Sequence, residues 1–499
     1  MRTSAWVWIV LLGIVGACNG SGSGGPPPLR VTSQSPAPGS IVEPDASVRL
    51  VFDRDPDLAT LSADALVVGD AGGTIPGSHS YDAATRTWTW IADDELPRGA
   101  LLTAVVAESV RTVERGGVLG LRSWSFRVRQ AAPSAPLLVR TQAVASSGVF
   151  VGMHGAGDAF VAAGSEFWEV GRGAVGLPES MPVVQVGRML VDADGGVAVA
   201  GGLLGPGTTV AGFCRRSLLG FWNTSTVIQD DPAATLVGYR LLGNAHGEVV
   251  LHGLLGYPPA AYTRHHLRRA TVAAPFNWQY LPEILLQGGD DVLACIDDRG
   301  FVATLRDDGD YVLAARHDPS GAIAVYTVAQ GQFLRVESLS TSADGHLRAL
   351  WQAPGGVKQS FAAPDEGFAP ASDVTVPIPA WSNWRSAPTG AIVGWNGPSA
   401  FRSEAGSLQW RQVALDAEPM AAAMSPRGEA VFVYFILPDQ LMMQRWRPGE
   451  EIAAPVPIAV IPSAFNAQRR ADVAVDGAGR VVVAFVPGVP GDLVAIRVE

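Results

Sequence analysis

One short pattern returns along most of this 499-residue chain: an apolar strand, a tight turn that ends in glycine, and a second apolar strand. The turns are rich in Asp, Asn, Ser and Gly, which are the residues that hairpin turns select. Their last glycines are Gly157, Gly196, Gly247, Gly300, Gly345, Gly390, Gly428 and Gly479. Seven intervals separate Gly157 from Gly479, with a mean of 46 residues. A repeat of this length does not bury its own apolar faces, so the copies have to pack on one another.

Each repeat contains enough strands for one blade of a β-propeller. Gly300, for example, is followed by apolar runs at 301–305, 311–315 and 322–327, and a further strand precedes the turn. Four strands in a period of about 40–50 residues, without helical periodicity, are typical of a blade. Eight turns predict eight blades, and seven remain an alternative because the first interval is short. The last run, 492–498, stands where a third strand belongs, so we expect 137–144 to supply the missing outer strand and close the ring.

Residues 30–129 form a separate pattern of short strands. The clear runs are 48–52, 65–68, 85–91, 101–106 and 124–128. Strands of this length, separated by turns, predict a β-sandwich. In order and spacing they resemble the bacterial Ig-like domains of exported proteins, a resemblance that implies a rigid spacer without an inter-sheet disulfide. The predicted fold class is therefore all-β, with an N-terminal Ig-like β-sandwich, a linker at 130–136 and a C-terminal β-propeller at 137–499.

The N-terminus predicts export. Arg2 precedes an apolar run that is too short to cross a bilayer, because a spanning helix takes about 20 residues. The run ends in Val15-Gly16-Ala17-Cys18, which resembles the lipobox of bacterial lipoproteins. That resemblance implies a signal peptide at 1–17, fatty acyl chains such as palmitate on Cys18, and a membrane as the partner of this lipid. An ordinary signal peptide with an incidental Cys18 is the alternative.

The segment that follows is typical of a tether. Residues 18–29 are mostly Gly, Ser and Pro and contain nothing able to pack, so they are flexible and then stiff. Asn19 rather than Asp after the lipidated cysteine implies, by the same resemblance, the outer membrane of a Gram-negative cell. We therefore expect a protein of the cell envelope that faces either the periplasm or the surface.

The charge balance excludes one class of partner. The chain has 47 acidic and 36 basic residues, a net charge of −11, and its only lysine is Lys358. A nucleic-acid binder needs a basic patch or stripe, and the sequence contains no basic block. We therefore expect no nucleic-acid partner.

Apart from Cys18, the chain has two cysteines, Cys214 and Cys295. An exported protein occupies an oxidising compartment, so a disulfide between them is one interpretation. Both lie in apolar, strand-like runs, where a buried free thiol is the more common state. The free thiol is the interpretation we favour.

Other polar motifs are better explained by structural roles than by metal or catalytic sites. The segments 192–195 and 307–310 resemble calcium loops but lack the ligand spacing of an EF-hand. His265 and His266 are adjacent rather than spaced as metal ligands, so we expect a solvated basic loop there. The sequence has no hydrolase elbow, zinc motif or nucleotide-binding loop. We predict no metal, no cofactor and no catalytic residue.

These features together predict a non-enzymatic lipoprotein that presents a β-propeller to a protein or glycan ligand. One alternative is a glycan-active hydrolase or lyase on the same scaffold, which acids and arginines converging at the channel mouth would favour. Another is an envelope-assembly scaffold, which a groove that contacts a partner would favour. The many tryptophans are expected to pack between blades, with a carbohydrate-stacking platform as the minor alternative.

Overall fold

The computed structural model describes residues 27–498 with several gaps. The segments outside the description are 71–72, 120–121, 130–132, 141–147, 155–157, 172–173, 183–184, 192–195, 206–207, 217–221, 229–234, 245, 247, 258–261, 271–277, 286–291, 308–309, 333, 381, 437–439, 461–469 and 487–491. The signal peptide, Cys18 and most of the tether therefore lie outside the described residues. The described part is all-β, as predicted, with two single-turn 3-10 helices at Leu58–Thr60 and Ala63–Ala65. It holds no helix long and apolar enough to span a membrane.

The first part of the chain forms two five-stranded sheets. Its strands are β1 (Leu29–Ser35), β2 (Ile41–Val42), β3 (Val48–Phe52), β4 (Leu66–Asp70), β5 (Gly73–Thr74), β6 (Gly77–Asp82), β7 (Thr87–Ala92), β8 (Leu101–Val106), β9 (Val118–Leu119) and β10 (Ser123–Val128). One sheet has the order β6-β7-β3-β1-β9 and the other the order β2-β10-β8-β4-β5. We call this part the first domain.

The two sheets of the first domain share one hydrophobic core. Every second residue of β10 is buried, because successive side chains of a strand point to opposite faces. The largest core side chains are Trp88, Trp90, Trp124 and Phe126. The indole N–H of Trp124 donates to the carbonyl of Pro36 at 2.9 Å, so this polar group is satisfied in the core.

The described residues from 137 onward form eight four-stranded antiparallel sheets, together called the sheet ring. The first strand, β11 (Leu137–Arg140), belongs to sheet 8. Sheet 1 holds β12 (Val149–Met153), β13 (Ala159–Ala163), β14 (Glu166–Val170) and β15 (Glu179–Ser180); sheet 2 holds β16 (Gln185–Val191), β17 (Val197–Gly205), β18 (Thr208–Arg216) and β19 (Trp222–Ile228). Sheet 3 holds β20 (Thr235–Gly243), β21 (Val249–Tyr257), β22 (Tyr262–Ala270) and β23 (Gln279–Leu285); sheet 4 holds β24 (Val292–Ile296), β25 (Val302–Asp307), β26 (Tyr311–His317) and β27 (Ile323–Gln330). Sheet 5 holds β28 (Arg335–Thr341), β29 (Leu347–Ala353), β30 (Gly356–Ala362) and β31 (Ser372–Asp373); sheet 6 holds β32 (Asn383–Ser386), β33 (Ile392–Asn396), β34 (Ser399–Ser403) and β35 (Arg411–Ala414). Sheet 7 holds β36 (Ala421–Met424), β37 (Ala430–Ile436), β38 (Gln440–Trp446) and β39 (Val456–Val460); sheet 8 is completed by β40 (Arg470–Val475), β41 (Val481–Val486) and β42 (Leu493–Val498).

The first strands of these sheets stand in a closed circle. Each contacts the first strand of the next sheet, from β12 through β36 to β40, and β40 contacts β12. Sheet 8 has the order β11-β42-β41-β40, so its outer strand comes from the start of the ring. Leu137 pairs with Ala495 and Leu138 with Val494. The pairing that the sequence predicts between the two ends is therefore present.

Hydrophobic clusters fill the spaces between neighbouring sheets. Trp351 lies in a cluster shared by sheets 4 and 5, and Trp395 and Trp446 lie in one shared by sheets 6 and 7. Trp168 lies in the cluster that joins sheet 8 to sheet 1. All four are at most 5% exposed. Packing between sheets, the favoured interpretation, therefore accounts for these tryptophans.

Buried arginines form hydrogen bonds between successive sheets. The side chain of Arg316 in sheet 4 donates to the carbonyl of Gly345 in the first turn of sheet 5, at 2.8 Å. Arg445 in sheet 7 makes the same contact with Gly479 in sheet 8, also at 2.8 Å. Both arginines are at most 5% exposed. A buried guanidinium needs acceptors, and the turn carbonyl of the next sheet supplies one.

The repeated turns explain the glycine spacing of the sequence. The φ angle is +83° at Gly300, +89° at Gly345, +87° at Gly390, +86° at Gly428 and +76° at Gly479. In the last of these turns, Asp476 Oδ1 accepts the backbone N–H groups of Ala478 and Arg480, each at 2.9 Å. An L-residue in this left-handed region costs about 1–2 kcal/mol, so glycine recurs at the last position.

The turn of sheet 8 offers a matched pair of substitutions. A Cβ atom at Gly479 would lie 3.2 Å from Glu429 Oε2 and would sit on left-handed backbone, whereas Gly477 has neither constraint. We expect Gly479→Ala to lower the free energy of unfolding by about 1–2 kcal/mol. Gly477→Ala is expected to leave it unchanged or raise it by about 0.4–1 kcal/mol. Urea unfolding of both variants checks this, and equal midpoints would contradict the assigned role of Gly479.

Candidate functional site

Backbone contacts fix the first domain against the turns of sheets 7 and 8. The N–H of Arg98 donates to the carbonyl of Ala478 at 2.9 Å. The carbonyl of the same Arg98 accepts a hydrogen bond from Nη2 of the Arg447 side chain at 3.2 Å. Arg98 therefore stands between the repeat turn of sheet 8 and the β38–β39 turn of sheet 7, and the two domains meet at this point.

Ion pairs strengthen the same junction. Arg427 of sheet 7 lies 2.7 Å from Asp70 of the first domain, and both side chains are less than 20% exposed. Arg427 also donates to the carbonyl of Gly73 at 3.2 Å. In the opposite direction, Arg127 of the first domain lies 3.9 Å from Glu450 of sheet 7. A partly buried pair with a second hydrogen bond contributes more than an exposed pair, which is worth about 0–1 kcal/mol.

Beside this junction a cleft of about 500 Å³ opens between the two domains. Its floor is the outer face of β4 and β8, with Val67, Leu101 and Val105. The opposite wall is the turn at 447–450, and the rim includes Asp70 and the residues of β5. We call this the interdomain cleft.

The floor is mostly apolar because β8 carries apolar residues on both faces. Leu102, Ala104 and Val106 point into the core of the first domain. Leu101, Thr103 and Val105 therefore point outward, and Thr103 is the one polar residue among them. Of these, Leu101 is 42% exposed and Val105 is 44% exposed. A solvated face of an antiparallel sheet normally carries polar residues. Exposed apolar side chains grouped in a cleft indicate a contact surface.

The charged groups of the wall already have partners. Arg447 is 8% exposed and lies 3.3 Å from Glu429, which also pairs with Arg445 at 3.2 Å. Glu450 lies 3.9 Å from Arg127 of the first domain. The described lining contains no Ser, Cys or His. Apart from the charged groups, the lining holds the apolar floor and the hydroxyls of Thr74 and Thr103.

A second polar group brings together three residue types of a hydrolase triad. Ser342, Asp344 and His346 line a pocket of about 260 Å³ beside the first turns of sheets 5 and 6. The Ser342 hydroxyl donates to Asp344, and His346 Nδ1 lies 3.0 Å from the same carboxylate. The hydrogen bond from Ser342, followed by that from His346, lowers the pKa of Asp344 to about 2. In a triad the imidazole contacts the serine; here the Ser342 hydroxyl and the His346 imidazole both contact the carboxylate of Asp344 instead.

The two cysteines of the described chain are free thiols. Cys214 lies on β18 of sheet 2 and Cys295 on β24 of sheet 4, with sheet 3 between them. The structure therefore places the two thiols on strands that are not neighbours. Burial raises the pKa of each thiol to about 12.

The expected solvated loop around His265 and His266 is wrong. These residues lie in β22, the third strand of sheet 3. His266 is 3% and Arg269 4% exposed, and Arg269 pairs with Glu248 at 2.7 Å. Leu267 and Ala270 pack in the clusters on either side of the sheet, so the segment is held as a strand despite its basic charge.

The calcium-like segments do not form a metal site in the described chain. Asp307 is buried, and its Oδ2 accepts the N–H of Val336 at 3.1 Å, which joins sheet 4 to sheet 5. Asp192 and Asp194 lie outside the described residues. Among the residues that are described, no group of three or more His, Cys, Asp or Glu side chains is placed to hold a metal ion.

No protein-family model matches this chain, and no curated protein matches it. Solved structures do resemble it at low identity. A Dos1 propeller is 11% identical with a TM-score of 0.44, and the match covers 72% of this chain and 94% of the other. A structure from work on two prolyl endopeptidases is 12% identical (TM-score 0.43), and prolyl oligopeptidase B from Galerina marginata is 9% identical (TM-score 0.43). Each of these two matches covers 72% of this chain and 55% of the peptidase. Propeller folds are thus among its structural neighbours, and this chain spans about half the length of the peptidases.

The thiols give a direct chemical prediction. At pH 8 a thiol with a pKa of about 12 is thiolate in roughly one molecule in ten thousand. We expect a chain that begins at Pro27 to show no rapid reaction with iodoacetamide when folded, and two reactive thiols in denaturant without reductant. Mass spectrometry after labelling counts them. Two unreactive cysteines in denaturant would instead establish a disulfide between Cys214 and Cys295.

Proposed function

We propose that this protein is a non-enzymatic, membrane-anchored lipoprotein of the cell envelope that binds a polypeptide partner in the interdomain cleft. The observation that carries the proposal is the exposed apolar floor formed by Leu101 and Val105 in a cleft of about 500 Å³. Ligand sites commonly have volumes of about 300–1,000 Å³, a mostly apolar lining and a few polar groups at the margin.

The proposal treats the sheet ring as an eight-bladed β-propeller. The closed circle of first strands and the outer strand supplied by β11 support this interpretation. The first domain is proposed to be an Ig-like domain, supported by its two sheets around one core. In this arrangement the first domain is more than a spacer, because it supplies the floor of the cleft.

A polypeptide fits the cleft better than a glycan does. The described lining contains no aromatic ring, whereas sugars are commonly recognised by stacking on aromatic faces. The glycines at 69, 73 and 449 keep the margin of the apolar floor free of bulky side chains. An extended segment with aliphatic side chains would bury apolar area against Val67, Leu101 and Val105 at roughly 25 cal/mol per Å².

A peptide selection tests the proposed function. We expect a library of displayed random peptides, selected on the chain from Pro27 onward, to yield binders with apolar residues. Val105→Lys should lower the affinity for the selected peptides by about tenfold or more, because it places a charge on the apolar floor. Fluorescence anisotropy measures the affinities.

Ile91→Lys is the matched control for this experiment. Ile91 is 50% exposed and lies on β7, in the other sheet of the first domain. The Ile91→Lys variant should therefore bind the selected peptides with unchanged affinity. Peptides that bind Val105→Lys as tightly as the unmodified chain would overturn the assignment of the cleft, and specific binding to a glycan array alone would replace the polypeptide with a glycan.

The membrane anchor is a separate part of the proposal. It is supported by the lipobox-like 15–18 segment and the tether-like composition up to Leu29. Acyl chains on Cys18 contribute about 0.8 kcal/mol per buried CH₂, and two or more chains make anchoring stable. We expect Cys18→Ala to move the protein from the membrane fraction to the soluble fraction of the expressing cells, with Ser21→Ala as the control. Continued membrane retention of Cys18→Ala would contradict the lipoprotein assignment.

An envelope-assembly scaffold is a second candidate that uses the same cleft. The apolar floor favours it, because unassembled envelope proteins expose apolar extended segments. In that case the selected peptides should resemble strands of membrane or envelope proteins. The arrangement of Ser342, Asp344 and His346 lends no support to the hydrolase alternative.

A further inference from the structure

Strand β27 is an unusually unprotected outer edge of the sheet ring. It spans Ile323–Gln330, eight residues without charge, proline or glycine. On one side it pairs with β26, from His317 opposite Ile323 to Tyr311 opposite Gln330. On its other side no described strand pairs with it, since it ends the order β24-β25-β26-β27.

The other outer strands carry features that discourage pairing. Strands β15 and β31 have two residues each, β11 and β35 contain arginine, β23 and β39 contain proline, and β19 is polar at its centre. Short strands, charges and prolines are the usual protection of sheet edges. Strands β19 and β27 have none of these three protections, and β27 is the more apolar of the two.

The edge is also apolar and accessible. Val325 is 63% and Ile323 43% exposed, and the first three residues of β27 are all exposed. Tyr326 on the alternate face packs toward Gly367 of sheet 5. A further strand added to β27 would therefore find unpaired backbone groups and an apolar ridge at Ile323 and Val325.

Acidic residues flank β26, the strand next to the edge, at both of its ends. Asp318 lies in the β26–β27 turn, beside the Ile323 end. At the other end, the carbonyl of the exposed Asp310 accepts the N–H of Gly331 at 2.8 Å, just after Gln330. At about 3.3 Å per residue, the two acidic positions are separated by roughly the length of eight extended residues.

This charge pattern argues against pairing with a second copy of the chain. An antiparallel pair of two β27 edges would bring Asp318 of one copy and Asp310 of the other to the same end of the joined sheet, at both ends, and these like charges repel. An edge of eight residues also buries far less than the roughly 1,200 Å² of a stable dimer. A segment with basic ends is instead complementary.

We propose that β27 accepts, as a fifth strand of sheet 4, an extended segment of another polypeptide with apolar side chains at alternate positions and a basic residue near each end. Main-chain hydrogen bonds would supply the affinity, and the ridge at Ile323 and Val325 together with Asp310 and Asp318 would supply the selectivity. This site is distinct from the interdomain cleft and does not depend on it.

A defined peptide tests the proposal. The probe is a fluorescent peptide of alternating Val and Thr with one Lys at each end, titrated into the chain from Pro27 onward and followed by anisotropy. We expect saturable binding that Val325→Lys weakens by about tenfold or more, because the added charge blocks the edge and repels the basic ends. Ile323→Lys should act in the same direction, and a peptide with Glu at each end should bind about tenfold more weakly.

Val460→Lys is the matched control. Val460 is 67% exposed on β39, an outer strand that contains Pro457, so this variant should bind the peptide as the unmodified chain does. Val105→Lys should also bind normally, which separates this site from the cleft. Unchanged binding by Val325→Lys, or no binding by the unmodified chain, would overturn the proposal. A dimer in sedimentation that Val325→Lys dissociates would also overturn it, in favour of a second copy.

Discussion

The pairing of β11 with β42 is the contact on which the rest of the structure depends. It gives sheet 8 its outer strand and joins the two ends of the sheet ring. The segment before β11 is held on the same strand: the N–H of Ser134 donates to the carbonyl of Arg497 at 2.7 Å, and the Arg497 N–H donates to the Ser134 hydroxyl at 3.1 Å. Closing the ring therefore also determines where the chain leaves it toward the first domain. A change that weakens this pairing affects both the closure and the interdomain geometry.

The position of the first domain follows from this closure. Because the linker reaches the ring at sheet 8, the first domain meets the turns of sheets 7 and 8. There the N–H of Arg98 donates to the carbonyl of Ala478, and the carbonyl of Arg98 accepts from the Arg447 side chain. The ion pair between Arg427 and Asp70 is a second contact between the two domains. Two separated contacts resist rotation of one domain relative to the other. The interdomain cleft lies beside these contacts, and its floor and wall come from different domains. A ligand in the cleft would therefore contact both domains and stabilise the junction by mass action.

Local signals in the sequence predict the repeat well and the cleft poorly. The glycines at 300, 345, 390, 428 and 479 mark turns because each requires left-handed backbone, a property of single residues that needs no knowledge of the fold. The cleft depends on bringing Val105 beside Arg447 and Glu450, and no local pattern encodes a contact over that distance in sequence. One signal was present: β8 is apolar at nearly every position, as expected of a strand covered on both faces. The loop predicted for the basic segment at His266 is wrong for the converse reason. Its charges indicate a loop, whereas Leu267 and Ala270 pack on both sides of a strand.

The two proposed binding surfaces lie on different parts of the ring. The cleft is formed with sheet 7 and adjoins sheet 8, whereas β27 belongs to sheet 4, which is four places from sheet 8 in the circle of eight. In a closed ring, sheets four places apart are on opposite sides, so an extended segment on β27 does not obstruct the cleft. The edge of β27 therefore stays accessible to a second polypeptide while the cleft holds the first.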